Sequence, residues 1–269
     1  MTLLRKIEKE EKSMIDIHSH IIFEVDDGAK SLEQSIKILE EAKKEGFEKI
    51  IVTPHYIEGY YEKDKKEIEN RIGTIKEELK KVNCSIEILQ GNEIYITDQI
   101  NELLEKEKAS TLNNKQYVLF ELPLNAETMN LTEVVYQILE KGRIPILAHP
   151  ERYPFVQKDP NQLLPLIEEG VLIQSNYGSI IGQYGKESQK TIKKMLEHNM
   201  VHLLGSDVHR PNTIYKRMQE ALQEITKIVG KQKAEDLTTN YPEQIITGQT
   251  IEIENPIPVK TTFFSKIFH

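Results

Sequence analysis

Short apolar runs and longer stretches of helical period take turns along this chain. The runs fall at residues 15–17, 50–52, 86–89, 118–120, 144–147, 171–173 and 201–204. They are rich in Ile, Val and Leu and too short for helices, so they read as buried strands. The intervening stretches carry helix signals. Ser31 with Gln34 forms a capping-box pattern ahead of Ile36 and Leu39, with a stop at Gly46. A second helix is expected over 64–82, with Ile68, Ile72, Ile75 and Leu79 on one stripe and charge on the other. Further helices are expected over 97–108, 130–141 (Asn130 with Glu133, closing at Gly142), 159–169 (Pro160 first, closing at Gly170), 187–199 and 212–229. Strands alternating with helices at this spacing imply βα units and a mostly parallel α/β sheet.

Six of the seven runs lead into side chains that can hold a metal. The first reaches His18 and His20, the second His55, the third Glu93, the fourth Glu121, the fifth His149, and the last Asp207 and His209. Parallel strands gather their C-terminal ends on one face, which is where α/β folds assemble active sites. The seventh run, 171–173, ends in Gln174, Ser175 and Asn176, which are weaker ligand types.

Composition narrows the possibilities. Acidic residues (43) outnumber basic ones (35), giving a formal charge of -8 and no long basic run, which argues against nucleic acid as a partner. A single cysteine, Cys84, excludes an intramolecular disulfide and a Cys-rich zinc site. Six residues beyond it stands Gln90, where a Cys-x5-Arg phosphatase loop would need arginine. Residues 1–13 are charged rather than signal-like, and no apolar run approaches a membrane span, so a cytoplasmic location is expected.

Each constellation has an ordinary reading beside the chemical one. His18-x-His20 projects two imidazoles from one face of an extended strand, and Asp16 can orient one of them from behind; alone, the pair is as readily chance. Asp26-Asp27-Gly28 has turn composition, but its place after His20 makes Asp27 a third oxygen donor. A carboxylate at an apolar strand end, as at Glu93 and Glu121, is costly unless paired or bound to a cation. Arg152, three residues after His149, suits bidentate capture of phosphate, and Arg210 stands beside His209. His198, His202 and His269 are assigned to structure or solvent. Five strand-end imidazoles and four carboxylates exceed what one ion needs, so two or three ions sharing carboxylates are expected, with manganese favoured over iron or zinc.

The motifs Asp16-x-His18-x-His20, Thr53-Pro54-His55, Gly91-x-Glu93, Phe120-Glu121, His149-Pro150-Glu151-Arg152 and Ser206-Asp207-x-His209 resemble the PHP (polymerase and histidinol phosphatase) superfamily. Within it, the chain is similar to the manganese-dependent bacterial protein-tyrosine phosphatases of the CpsB/CapC type. The resemblance implies a distorted (β/α)7 barrel over residues 14–258, flanked by an extension at 1–13 and a basic, aromatic tail at 259–269. It also implies that His18, His20, His55, Glu93, Glu121, His149, Asp207 and His209 are ligands. Asp27 replaces a histidine common in that loop elsewhere in the superfamily, which points to the tyrosine-phosphatase branch. Relatives usually begin at a methionine just ahead of the first motif, so the extension is a departure.

The activity so implied is hydrolysis of phosphotyrosine on a protein by a metal-bridging hydroxide. Arg152, Arg210 and His209 would assist, and the substrate would be a membrane-associated tyrosine kinase that regulates capsular or exopolysaccharide synthesis. Tyr56, Tyr60 and Tyr61 either stack on a phosphotyrosine ring or pack their own loop. The tail offers weak membrane contact at the inner face or simply frays. A phosphatase for a small phosphomonoester of the histidinol phosphate type, a nuclease and a silent metal-stabilised module are the competing readings.

Overall fold

A computed structural model describes residues 13–126 and 131–260. The seven expected strands form, all in parallel register. They are β1 (Met14–Asp16), β2 (Phe47–Val52), β4 (Glu87–Gln90), β6 (Tyr117–Glu121), β7 (Ile144–Ala148), β8 (Leu172–Asn176) and β9 (Leu203–Gly205). Two short strands, β3 (His55–Tyr56) and β5 (Glu93–Tyr95), resume the second and third runs after breaks at Thr53-Pro54 and Gly91-Asn92. Pairing follows the orders β1-β2-β4 and β3-β5-β6-β7-β8-β9. Backbone hydrogen bonds from Gly91 to Val52 (2.9 Å) and from Glu93 to Pro54 (3.2 Å) carry the first sheet into the second. A parallel bridge between Ser19 and Val208 sets the last strand beside the extension of the first. The result is an α/β fold built on a curled parallel sheet.

Curling divides the apolar residues between two clusters. Ile15, Ile17, Ile51, Tyr117, Leu119, Ile146, Ala148, Leu172 and Leu203 pack together inside the curl, joined from below by Ile245 and Ile251. The larger cluster lies between the outer faces of the strands and the helices. Strands buried on both sides must be apolar throughout, which is why the runs show no alternation.

Helix ends follow the expected capping where the cap is local. Helix α1 (Leu32–Lys44) starts at Ser31, whose hydroxyl accepts from the Gln34 amide. Helix α2 (Lys65–Lys81) starts at Asp64, whose carboxylate accepts from the Glu67 amide. Elsewhere the expected helices shorten or break. Helix α3 covers only Ile100–Glu105, and α4 is Thr132–Glu140, its expected start at Asn130 lying outside the described residues. Between them and the next strands come α5 (Pro154–Lys158), α6 (Leu164–Glu168), α7 (Tyr177–Ile180) and α8 (Lys186–Glu197). The stretch expected as one helix over 159–169 divides into a 3-10 turn, Pro160–Leu163, and α6, because Pro165 supplies no amide to continue the ladder. After Asn212 a 3-10 turn, Ile214–Arg217, precedes α9 (Met218–Glu235), which kinks at Gly230 (φ 80°) before α10 (Tyr241–Thr247). The extension and tail expected at 1–13 and 259–269 lie outside the described residues except for Ser13, Val259 and Lys260.

One buried acid fastens the first strand to the last. Asp16 Oδ1 accepts from the amides of His18 (3.2 Å) and Ser206 (3.0 Å), and Oδ2 accepts from the Tyr215 hydroxyl (2.6 Å). Burial pushes its carboxyl above the usual range, and the hydrogen bonds from Ser206 and Tyr215 oppose that rise. Asp16→Ala would leave three buried donors without an acceptor and should cost roughly 3–4 kcal/mol at about 1–3 kcal/mol per orphaned group. At about 2–4 °C per kcal/mol, melting followed by circular dichroism should fall by roughly 6–16 °C. A change of under 2 °C would mean that this clasp does not hold the strands.

Candidate metal centre

The period of two that fills the curl also supplies the site. On β6, Tyr117 and Leu119 face the inner cluster and Glu121 is the next residue on that face; on the last strand, Leu203 and Gly205 precede Asp207 in the same way. The interior thus changes from apolar to ligating over one step at the C-terminal ends. Gly205 is required there, because a Cβ would lie 2.6 Å from His18 Cβ and 2.9 Å from Gln174 Nε2. Two of the side chains leave their strands through left-handed backbone, His149 (φ 37°) and Asp207 (φ 51°), which non-glycine residues adopt at a cost.

Every side chain expected to bind metal converges here. Four donor groups, each with its atoms within 4.8 Å of one another, are His18-Glu93-His149, His18-His20-Asp207, His55-Glu93-Glu121 and His20-Asp27-His55-His209. Glu93 joins them. Its Oε1 lies 2.9 Å from His149 Nε2. Its Oε2 lies 3.2 Å from both His18 Nε2 and His20 Nε2 and 3.0 Å from His55 Nδ1. Glu121 Oε1 is 2.9 Å from His55 Nδ1. Asp27, at the rim, has Oδ1 3.2 Å from His209 Nε2 and 3.6 Å from His55 Nε2. A neutral imidazole has one lone pair, so His55 serves one of its two groups and donates to a carboxylate of the other.

Hydrogen bonding alone does not account for this packing. Glu93 Oε2 and His55 Nδ1, both buried, have no partner in hydrogen-bond geometry among the described residues, although each has opposite-type atoms within 3.2 Å. His18 and His20 point Nε2 at Nε2 across 3.2 Å. Imidazole nitrogens and carboxylate oxygens aimed at common points, with Glu93 Oε2 and His55 Nδ1 unrelieved by hydrogen bonds, fit cations between them, and a donor set without thiolate fits a borderline or hard divalent ion.

Without metal, protons supply the positive charge. Burial and the neighbouring His55 oppose protonation of His20, yet Asp26 and Glu93 push it up to about 10. Burial likewise opposes protonation of His55, but Glu93 and Glu121 push it up to about 12. Burial works against ionisation of Glu93 and Asp207; His18 and His55 hold the former, and His18 and His209 the latter, well below the ordinary carboxylate range.

The remaining expected residues divide. Arg152 reaches the cage, with Nη1 3.0 Å from Asp207 Oδ2 and its guanidinium 4.4 Å over the Tyr184 ring. Arg210 stays at the rim, and its Nη1 donates to the carbonyls of Asp27, Gly28 and His209, so it braces the turn that carries Asp27. Tyr61 stacks near-parallel on His55 at 6.2 Å, and Tyr60, 75% exposed, meets Tyr61 edge-on. Tyr56 is buried in the outer cluster, so of its two expected readings packing holds. His198 caps its own helix through Lys194 O, and His202, buried, accepts from the Ile173 amide.

Three contributors escaped the sequence reading. Asp26, read as part of an ordinary turn, is buried and accepts from His20 Nδ1 at 2.8 Å, orienting that ring. Gln174 and Asn176, set aside as weak ligands, reach His18 Nδ1 (2.7 Å) and Asp207 Oδ2 (2.7 Å). Their position at the end of an apolar run was the available signal.

A sequence model described as "Capsular polysaccharide synthesis, CpsB/CapC" matches residues 14–247. The tyrosine-protein phosphatase YwqE of Bacillus subtilis is 33% identical over 247 residues, 92% of this chain and 97% of that protein. The tyrosine-protein phosphatase CpsB of Streptococcus pneumoniae is 34% identical over 243 residues, 88% of this chain and all of that one. A crystal structure from a report on YwqE of Bacillus subtilis and CpsB of Streptococcus pneumoniae, described there as unique metal-dependent tyrosine phosphatases, superposes with a TM-score of 0.87 at 33% identity, covering 92% of this chain and 100% of that one.

Because the imidazoles hold protons that cations must expel, metal affinity should rise with pH between about 6 and 9, with proton release in calorimetry. The sign in the metal-free protein is opposite. Raised pKa values at His20 and His55 give stability that is full below about 6.5 and lost as pH climbs through about 10 to 12. Chelation at pH 7.5 should lower melting by roughly 5–10 °C, from about 2.7 kcal/mol at a hundredfold excess over Kd. An unchanged melting curve after complete metal removal would refute the cage.

Proposed function

This chain belongs to the CpsB/CapC family, and we propose from that premise that it is a metal-dependent protein-tyrosine phosphatase serving capsular or exopolysaccharide synthesis. The carrying observation is the polynuclear donor cage with Arg152 at its edge. Three ions or two, manganese by preference, would be held by His18, His20, Asp27, His55, Glu93, Glu121, His149, Asp207 and His209. When bound, such ions supply Lewis acidity and lower the pKa of water toward roughly 7. The scaffold is taken as a distorted (β/α)7 barrel. Seven parallel strand stretches and the Ser19–Val208 bridge between the first and last support that count.

The chain's own groups do the rest. Arg152, fixed by Asp207 and by the face of Tyr184, presents positive charge where phosphoryl oxygens gather it. Arg210 holds the Asp27–Gly28 turn in register with His209 and adds charge at the rim. Tyr61, stacked on His55, and Tyr60 offer aromatic faces to the phosphotyrosine ring. Phenolate, with a conjugate-acid pKa of about 10, leaves readily. The small demand for a proton falls to His209, the most exposed imidazole of the cage, when its Nε2 carries a proton and not a cation.

The substrate is read as a phosphotyrosine-bearing protein, a membrane-associated tyrosine kinase of the same system, met at the cytoplasmic face. Among the described residues no helix is long and apolar enough to cross a membrane. With manganese present, turnover of a phosphotyrosyl peptide should exceed that of histidinol phosphate and single-stranded DNA; preference for either of the latter would overturn the assignment. His149→Ala and Glu93→Ala should each cut kcat by roughly a thousandfold, since several kcal/mol of metal stabilisation are lost, while far-ultraviolet circular dichroism stays native. Near-normal turnover would contradict these roles.

A further inference from the structure

Gln174 and Asn176 face the cage from β8, and their side chains hydrogen-bond to two of its donors, His18 and Asp207. Both are fully buried. Gln174 Nε2 donates to the Ser175 carbonyl (2.8 Å) and to Asn176 Oδ1 (2.9 Å), which leaves Oε1 to accept from His18 Nδ1 at 2.7 Å. With Oδ1 taken, Asn176 donates through Nδ2 to Asp207 Oδ2 at 2.7 Å. The donors therefore all point one way, from His18 through Gln174 and Asn176 to Asp207, and the two ends are members of one donor group, His18-His20-Asp207.

Each end gains a defined state. A hydrogen held on His18 Nδ1 leaves the lone pair on Nε2, the atom that faces Glu93, His20 and Asp207. Asp207 Oδ2 is occupied by Asn176, by Arg152 at 3.0 Å and by Tyr184 at 3.3 Å. That leaves Oδ1 toward His18 (3.7 Å) and His20 (3.5 Å). The chain is itself anchored, since the Asn176 amide donates to buried Glu151 Oε1 at 2.9 Å, which also takes the Ser179 hydroxyl at 2.6 Å. Two buried side-chain amides at the end of a strand that begins Leu172-Ile173 are costly to the fold unless wholly satisfied, so their retention calls for a use at the site.

We propose that Gln174 and Asn176 act as one positioning unit, imposing the Nε2-ligating tautomer on His18 and the outward carboxylate face on Asp207. The inference rests on the reading of the cage as a metal site. Wild type, Gln174→Met, Asn176→Asp and the double variant should be compared for manganese affinity by chelator competition, and for the visible spectrum of the cobalt(II)-substituted protein. The near-isosteric Asn176→Asp removes the donor toward Asp207 and keeps the test alive should the Met variant misfold. Each single change is expected to weaken binding roughly 10- to 100-fold and shift the cobalt bands, and the double variant should lose no more than the worse single. Binding within about twofold of wild type with an unshifted spectrum, or losses that simply multiply, would overturn the unit. A wild type that binds neither ion would instead sink the metal reading itself.

Discussion

Buried carboxylate charge is the constraint around which this molecule is arranged. Glu93 is wholly buried and Glu121 and Asp207 nearly so, and an ionised carboxylate in such surroundings is prohibitive unless positive charge or directed hydrogen bonds meet it. In the metal-free chain His18, His20 and His55 take protons and meet it. With divalent ions present the same nitrogens give up those protons and become ligands, so charge balance holds in both states while hydrogen-bond geometry is satisfied only poorly in one. A site that is tolerable with protons and well matched with cations selects cations without any further device.

The curled sheet makes that concentration of charge affordable by separating it from the apolar interior along one axis. Leu119 and Glu121 are two residues apart on one face of β6, so a step of about 6.6 Å along that strand passes from hydrocarbon to ligand, and on the last strand Gly205 stands between Leu203 and Asp207. Since all strands run parallel, every such step falls at the same end. Hydrophobic packing below fixes the height of each strand, and strand height fixes where each donor atom lies. Register therefore sets the starting point of each donor, and the Asp27–Gly28 turn and the turns at His149 and Asp207 place the rest.

This arrangement also explains what could be read from residues alone. Apolar runs ending in His, Asp or Glu were visible because ligand type and strand end are both local properties, and the nine expected donors do converge. Asp26 was not, since an Asp-Asp-Gly turn has the same composition whether its first acid faces solvent or His20 Nδ1. Gln174 and Asn176 were passed over because amides are poor ligands, and nothing local tells that they touch His18 and Asp207, 156 and 31 residues away. Arg210 was expected to assist beside His209, and nothing local showed that the fold would bring the Asp27–Gly28 carbonyls to it, 183 and 182 residues distant. Helices were legible at capped ends such as Ser31 and Asp64 and misjudged where prolines and packing broke the ladder, as over 159–169.

Strain points to the same economy. His149 and Asp207 both sit in left-handed backbone, at a cost of order 1–3 kcal/mol each, in places where glycine would relax the chain but could not ligate. Their neighbours hold them there. The His149 amide donates to Gln174 O at 2.7 Å, and the Asp207 amide donates to His18 O at 2.9 Å. His18 is thus tied to Asp207 through backbone as well as side chain, and the strand carrying the amide pair also holds the His149 turn through the Gln174 carbonyl. Relaxing any one of the four would be felt by the other three, which is why the ligand geometry behaves as a property of adjoining strands and not of single residues.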